Sequence, residues 1–186
     1  YTNVQYPFPV NPPHIPNLNP SMVYRRKFFI SEKDLDNVHY LKFEGVDSAF
    51  HVWINGNYAG YSQGSRIPSE FRINEFITQG ENTLCILVHK WNVYSYLEDQ
   101  DMWWLNGIFR DVYITSQPEC HIYDVFAKTS LDETYENGIL DLEVDITGKT
   151  KEAGNSLSLE IILKNISSND FLFKEEYSLN SLRSTT

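Results

Sequence analysis

The densest chemistry in the sequence is the run Leu97-Glu98-Asp99-Gln100-Asp101-Met102-Trp103-Trp104, three carboxylates within four positions beside two indoles. Carboxylates in such company serve as glycosidase acid and nucleophile, as ligands of a hard cation, or as the polar corner of a turn. A retaining glycosidase needs two carboxyls about 5–5.5 Å apart on either side of one bond, normally delivered by separate elements. A calcium loop needs a glycine at its sharp turn and a ligand spacing that is missing here. The corner reading is left in front, with Arg66 and Arg110 as the cations expected to pair with the cluster, because half-buried carboxylates are usually paired.

Other chemistries fail on spacing. His14, His39, His51, His89 and His121 have no HExxH or CxxC companion, so no zinc site is expected. Gly60-Tyr61-Ser62-Gln63-Gly64 lacks the lysine and the following helix of a phosphate loop, and no serine nucleophile elbow occurs. A formal charge of −10 argues against nucleic acid. No apolar stretch reaches the ~18 residues of a membrane span, and Tyr1-Thr2-Asn3-Val4 shows no signal-peptide pattern. Cys85 and Cys120 make no disulfide framework; Cys85 reads as a buried small hydrophobe, and a cytoplasmic location is expected.

Strands must position whatever chemistry there is. The chain has 186 residues, 41% hydrophobic, with 12 Tyr, 11 Phe and 4 Trp, enough for a real core. Residues 1–21 are proline-rich yet carry Tyr6, Phe8, Val10 and Ile15, which predicts an extended segment lying on a body. Strands are expected at Val23–Ile30, Tyr40–Val46, Phe50–Ile54, Tyr58–Tyr61, Ser69–Ile73, Thr83–Trp91 and Gly107–Ile114, with Asn55-Gly56 as a hairpin turn. This spacing reads as a jelly-roll β-sandwich ending near Pro118. Beyond it, Ile122–Lys128, Ile139–Ile146, Leu157–Leu163 and Phe171–Tyr177 predict an immunoglobulin-like sandwich with too few strands to be complete. The fold class is therefore all-β: domain 1–118 followed by a partial sandwich over 119–186.

Longer strings add a resemblance. Tyr1-Thr2-Asn3-Val4-Gln5-Tyr6-Pro7-Phe8, Phe43-Glu44-Gly45-Val46-Asp47-Ser48-Ala49-Phe50-His51-Val52-Trp53, Ser65-Arg66-Ile67-Pro68-Ser69-Glu70-Phe71, Tyr96-Leu97-Glu98-Asp99-Gln100-Asp101-Met102-Trp103 and Gly107-Ile108-Phe109-Arg110-Asp111-Val112 follow one another at family spacing. Together they resemble the sugar-binding domain of bacterial β-galactosidases, in family two of the glycoside hydrolases. The resemblance covers most of residues 1–126; residues 127–186 fit by pattern and position alone. It implies a jelly-roll first domain, an immunoglobulin-like second, and a barrel absent from this chain that carries the catalytic glutamates. The chain is thus expected to be a non-catalytic piece of an oligomeric enzyme acting on β-galactosides such as lactose. The resemblance further implies galactose-subsite contacts from Asp47 and Asp124, with Asp124 also a Na⁺ ligand, and Na⁺ and Mg²⁺ in the whole enzyme. The better-known enzymes often have Asn where this chain has Asp47. A free-standing carbohydrate-binding module and a structural assembly subunit are the other readings.

Overall fold

The computed structural model describes residues 5–148, 151–152 and 155–179. The chain divides into two compact units, Tyr1–Pro118 and Glu119–Thr186.

In the first unit β1 (Ser21–Ile30), β2 (Val38–Phe43), β3 (Val46–Asp47), β4 (Ala49–Ile54), β5 (Asn57–Gln63), β6 (Ser69–Arg72), β7 (Gly80–His89), β8 (Gly107–Ile108) and β9 (Val112–Gln117) follow in order. They form an antiparallel sheet in the order β1-β7-β4-β5, a second in the order β6-β2-β9, and the small pair β3-β8. Period-two alternation sends Leu84, Ile86 and Val88 of β7, and Phe50, Val52 and Ile54 of β4, into the interior. There they meet Leu41 and Phe43 of β2 in one cluster, with the Phe43 and Phe50 rings 4.7 Å apart. Each such side chain contributes about 1.5–3 kcal/mol by leaving water. The result is a β-sandwich.

Asn55 and Gly56 take φ of 52° and 82°, the left-handed pair that a two-residue hairpin turn requires, and they join β4 to β5. Asn55 also ties the turn to the body: its Oδ1 accepts from Thr83 N, and its Nδ2 donates to the buried Asn82.

Four expectations need correction. The expected strand Tyr40–Val46 ends at Phe43, and Val46 opens the separate β3. Cys85 falls on the outer face of β7 between the inward Leu84 and Ile86, so it is half-buried rather than part of the core. The expected strand Gly107–Ile114 is two, β8 and β9. At the break Phe109 N donates to Gly45 O, and Asp111 O accepts from Glu44 N. Strand β7 ends at His89 rather than Trp91, where Lys90 N turns to Pro20 O.

The second unit contains β10 (His121–Leu131) paired with β11 (Gly138–Thr147), the short pair β12 (Lys151–Glu152) and β13 (Asn155–Ser156), and β14 (Ser158–Lys164) paired with β15 (Phe171–Ser178). Alternation in β11 leaves Leu142, Val144 and Ile146 half-buried while Asp141, Glu143 and Asp145 face solvent.

Candidate functional site

Asp47 sits at the end of β3, two residues held by pairing Val46 to Ile108 and Asp47 to Gly107. Its neighbours are sunk in the body. Val46 is buried, and Ser48 is buried with both its N–H and its Oγ–H donating to His89 O. Alternation between these two anchors turns the Asp47 carboxylate outward, where its side chain keeps 16% of its exposure. The Asp47–Ser48 peptide is cis. Gly45 lies two residues earlier under Phe109; a Cβ there would stand 2.7 Å from that ring, so only glycine permits the approach.

Both carboxylate oxygens are occupied from within the unit. Arg66 Nη1 donates to Oδ2 at 3.0 Å and Asn106 Nδ2 to Oδ1 at 3.0 Å. Asn106 Nδ2 also donates to Lys90 O at 2.7 Å. Arg66 is itself placed on three sides. Its Nη2 reaches Met102 Sδ at 2.7 Å, its guanidinium carbon lies 5.1 Å from the Phe109 centroid, and its carbonyl accepts from Arg110 Nη1. Each Asp47 oxygen keeps lone-pair capacity for a further donor, the way a carboxylate holds a sugar hydroxyl. Burial pushes the Asp47 carboxyl above its ordinary value. The Arg66 hydrogen bond and charge pull it back, and the Glu98 carboxylate adds to the rise.

Glu98 and Asp99 of the acidic run do not pair with the arginines as expected. Glu98 spends both oxygens on Ser65, accepting from its N–H at 2.7 Å and its Oγ–H at 2.6 Å, and so fixes the loop that carries Arg66. Asp99 stands by Tyr6, whose phenol is raised by burial and then by that carboxylate. Arg66 goes instead to Asp47, and Arg110 Nη1 to the carbonyls of Glu44 and Arg66. Asp47 and backbone carbonyls compete with the run for the guanidinium groups, and a backbone carbonyl leaves no trace in residue types. Asn106 had no signal in the sequence at all; an isolated Asn before a glycine reads as a turn.

The recess beside Asp47, lined by Arg66, Glu98, Met102, Trp103 and Trp104, has a volume of about 10 Å³, room for one water at most. It is too small to enclose a sugar. Trp103 on its lining is exposed, and the exposed Phe109 ring lies 5.1 Å from the Arg66 guanidinium.

Asp124 lies in the second unit, on β10 at the bulge where register shifts between Ile122 and Asp124. It is exposed, and its Oδ1 accepts from Val125 N at 2.9 Å. Among the described residues no three His, Cys, Asp or Glu side chains gather to hold a metal. Asp124 is therefore a single exposed carboxylate outside any such cluster.

The β-sandwich of the first unit agrees with what the chain is similar to. The sequence model described as the family 2 glycosyl hydrolase sugar-binding domain matches residues 1–118, and the chain belongs to that family. Among its relatives, the β-galactosidase of Photobacterium profundum is 50% identical over 147 residues, 79% of this chain and 14% of that protein. The β-galactosidase of Priestia megaterium is 42% identical over 177 residues, 92% of this chain and 17% of that protein. The chain thus spans about one seventh of the length of the curated relatives it matches. In fold it is similar to the β-glucuronidase of Bacteroides uniformis, with a TM-score of 0.72 at 20% identity over 86% of this chain and 20% of that one. No helix among the described residues is long and apolar enough to cross a membrane.

Proposed function

We propose that this chain is the sugar-binding part of a cytoplasmic β-galactosidase, and that it supplies Asp47, and Asp124 with a bound Na⁺, to the galactose subsite of the whole enzyme. The observation that carries the reading is the Asp47 carboxylate, held on both oxygens by Arg66 and Asn106 at the surface end of β3. A sugar hydroxyl is recognised by directional hydrogen bonds, and an acceptor fixed in advance loses little freedom on binding it. The relatives support the substrate class, and the shallow recess fits a chain that contributes one wall. Asp124 is the more exposed partner, and the rest of the Na⁺ shell belongs to parts of the enzyme outside this chain.

Purified alone, the 186-residue chain should release no product from a chromogenic β-galactoside, because retaining hydrolysis needs a supported pair of carboxyls across one bond. In the whole enzyme, Asp124→Ala should weaken galactoside turnover and Na⁺ activation together. Asp47→Ala should lower kcat/KM by roughly ten- to a hundred-fold, with Na⁺ dependence kept, as expected for losing one charged hydrogen bond. Kinetics across a Na⁺ titration decide the matter. Wild-type kcat/KM in either variant removes that residue from the site.

A further inference from the structure

We infer that the proline-rich segment ahead of β1 is a positioning strap for Asp47, acting through the Trp91–Asn106 loop, with Tyr6 and Phe8 as its positioning residues. The segment is fastened at three places. At its start the Tyr6 ring lies 5.4 Å from Trp104 and 5.6 Å from Tyr96, and Phe8 lies 4.9 Å from Trp91 and 5.6 Å from Tyr96. Trp91 and Trp104 close the cluster at 5.7 Å. In the middle, Tyr96 Oη donates to His14 O at 2.6 Å. At its end Asn19 pairs with the Trp91 backbone, donating to the carbonyl and accepting from the N–H, both at 2.9 Å.

Between Trp91 and Asn106 the strapped loop contains no strand. Its only helical piece is a four-residue 3-10 turn, Val93–Tyr96, capped reciprocally by Asn92 and Ser95. Yet this loop supplies the groups around Asp47. Tyr96 is two residues before Glu98, which clamps Ser65 beside Arg66. Trp104 is two residues before Asn106, which holds Asp47 Oδ1. Tyr6 Oη donates to Tyr96 O at 2.9 Å, so one residue touches the loop near both branches. Prolines at 7, 9, 12, 13 and 16 restrict the unbound segment, which lowers the entropy lost on laying it down. The strap orients a carboxylate whose use on a sugar rests on the function proposed above; the orientation itself does not.

The test uses the 186-residue chain in two variants. In Tyr6→Ala/Phe8→Ala, the amides of Ser95, Leu97 and Glu98 should exchange roughly ten-fold faster or more, given two lost ring anchors. The Asp47 Cγ and Asn106 side-chain NH₂ resonances should move with them, while Leu84–Val88 amides keep their protection. Tyr6→Phe keeps the ring but removes the phenol, with its bond to Tyr96 O and its interaction with Asp99, and should speed the same amides roughly five-fold, with a smaller shift of Asp47 Cγ in the same direction. Unchanged Asp47 and Asn106 resonances overturn the strap. So does equal loss of protection across Leu84–Val88, which would make the segment ordinary core. Wild-type galactoside turnover in whole-enzyme Asp47→Ala would instead end the sugar reading and leave the strap standing.

Discussion

The two units are built from strands of similar length and similar alternation, and they differ in what the alternation buries. In the first, inward residues of two sheets meet, and Phe43, Val52 and Ile54 keep 1% of their exposure or less. In the second, β10 pairs β11 over ten residues with one bulge between Ile122 and Asp124, yet Leu179 is its one buried hydrophobic residue among those described. Ile122, Val125, Phe126, Ile162, Phe171 and Phe173 are exposed. Hydrogen-bonded pairing and core formation are therefore separable. A ladder satisfies the backbone of two strands, but a lone hairpin is marginal in water until a second layer covers its apolar face.

The sharpest way to break this contrast is truncation. Phe43→Ala empties a fully enclosed site between the sheets and should destabilise the first unit by about 3–5 kcal/mol. Ile162→Ala, at a position 41% exposed, should change stability by no more than about 0.5 kcal/mol. Urea unfolding followed by amide exchange reads both. Equal losses at the two positions would mean that the second unit has a core as closed as the first.

The same contrast explains how far the sequence could be read. Strands of the first unit were legible where inward and outward residues alternate, as in Leu41 and Phe43 against Tyr40 and Lys42. Asn55-Gly56 was legible because few other pairs accept its two positive φ values. The division of Gly107–Ile114 was not, since it depends on a backbone bond between Phe109 and Gly45, which residue types do not record. Asp47 could be picked from a string, but its holders could not. Arg66 lies 19 residues away and Asn106 59, and only the fold brings them to one carboxylate. The aromatic residues of the first twenty positions predicted a segment packed on a body without saying where it lands.

Buried polar groups offer a second comparison, of intermediate size. Asn82 is buried in the first unit, and its amide is fully engaged. Its Oδ1 accepts from Thr78 N and Asn55 Nδ2, and its Nδ2 donates to Thr78 O and Gly80 O. Asn82→Ala leaves several of these groups without partners in the interior and should cost about 2–3 kcal/mol. Asn165 in the second unit makes the analogous local bonds, accepting from Ser167 N and Ser168 N, but in the open. There water replaces the lost partner, and Asn165→Ala should cost about 0.5 kcal/mol. Thermal unfolding of the two variants would contradict the comparison if Asn165→Ala proved the more damaging.

The smallest effect expected is one of pH, and the two units respond in opposite directions. Burial raises the Asp47 carboxyl, so its folded form holds a proton more tightly than the unfolded chain; whatever stability that contributes is lost as pH rises through the folded value. Asp132, in the β10–β11 turn, is lowered to about 2 from 3.8, first by the Asn137 side chain and then, against the opposing effect of burial, by Thr134 and the backbone of Asn137 and Glu136. Its Oδ1 accepts from Thr134 N, Thr134 Oγ1 and Glu136 N, and its Oδ2 from Asn137 Nδ2 at 2.6 Å. Here the unfolded chain takes the proton first. The turn's contribution is present above the unfolded value and fades as pH falls from about 4 toward 2. The group is at the surface, so the turn should loosen without the first unit unfolding. Carbon-detected titration of the Asp132 carboxyl should show a midpoint near 2, and Asn137→Ala should move it up toward 3.8. A midpoint already at the ordinary value in the unaltered chain would mean that this turn is not closed by its aspartate, and that the pairing of β10 with β11 rests on the ladder alone.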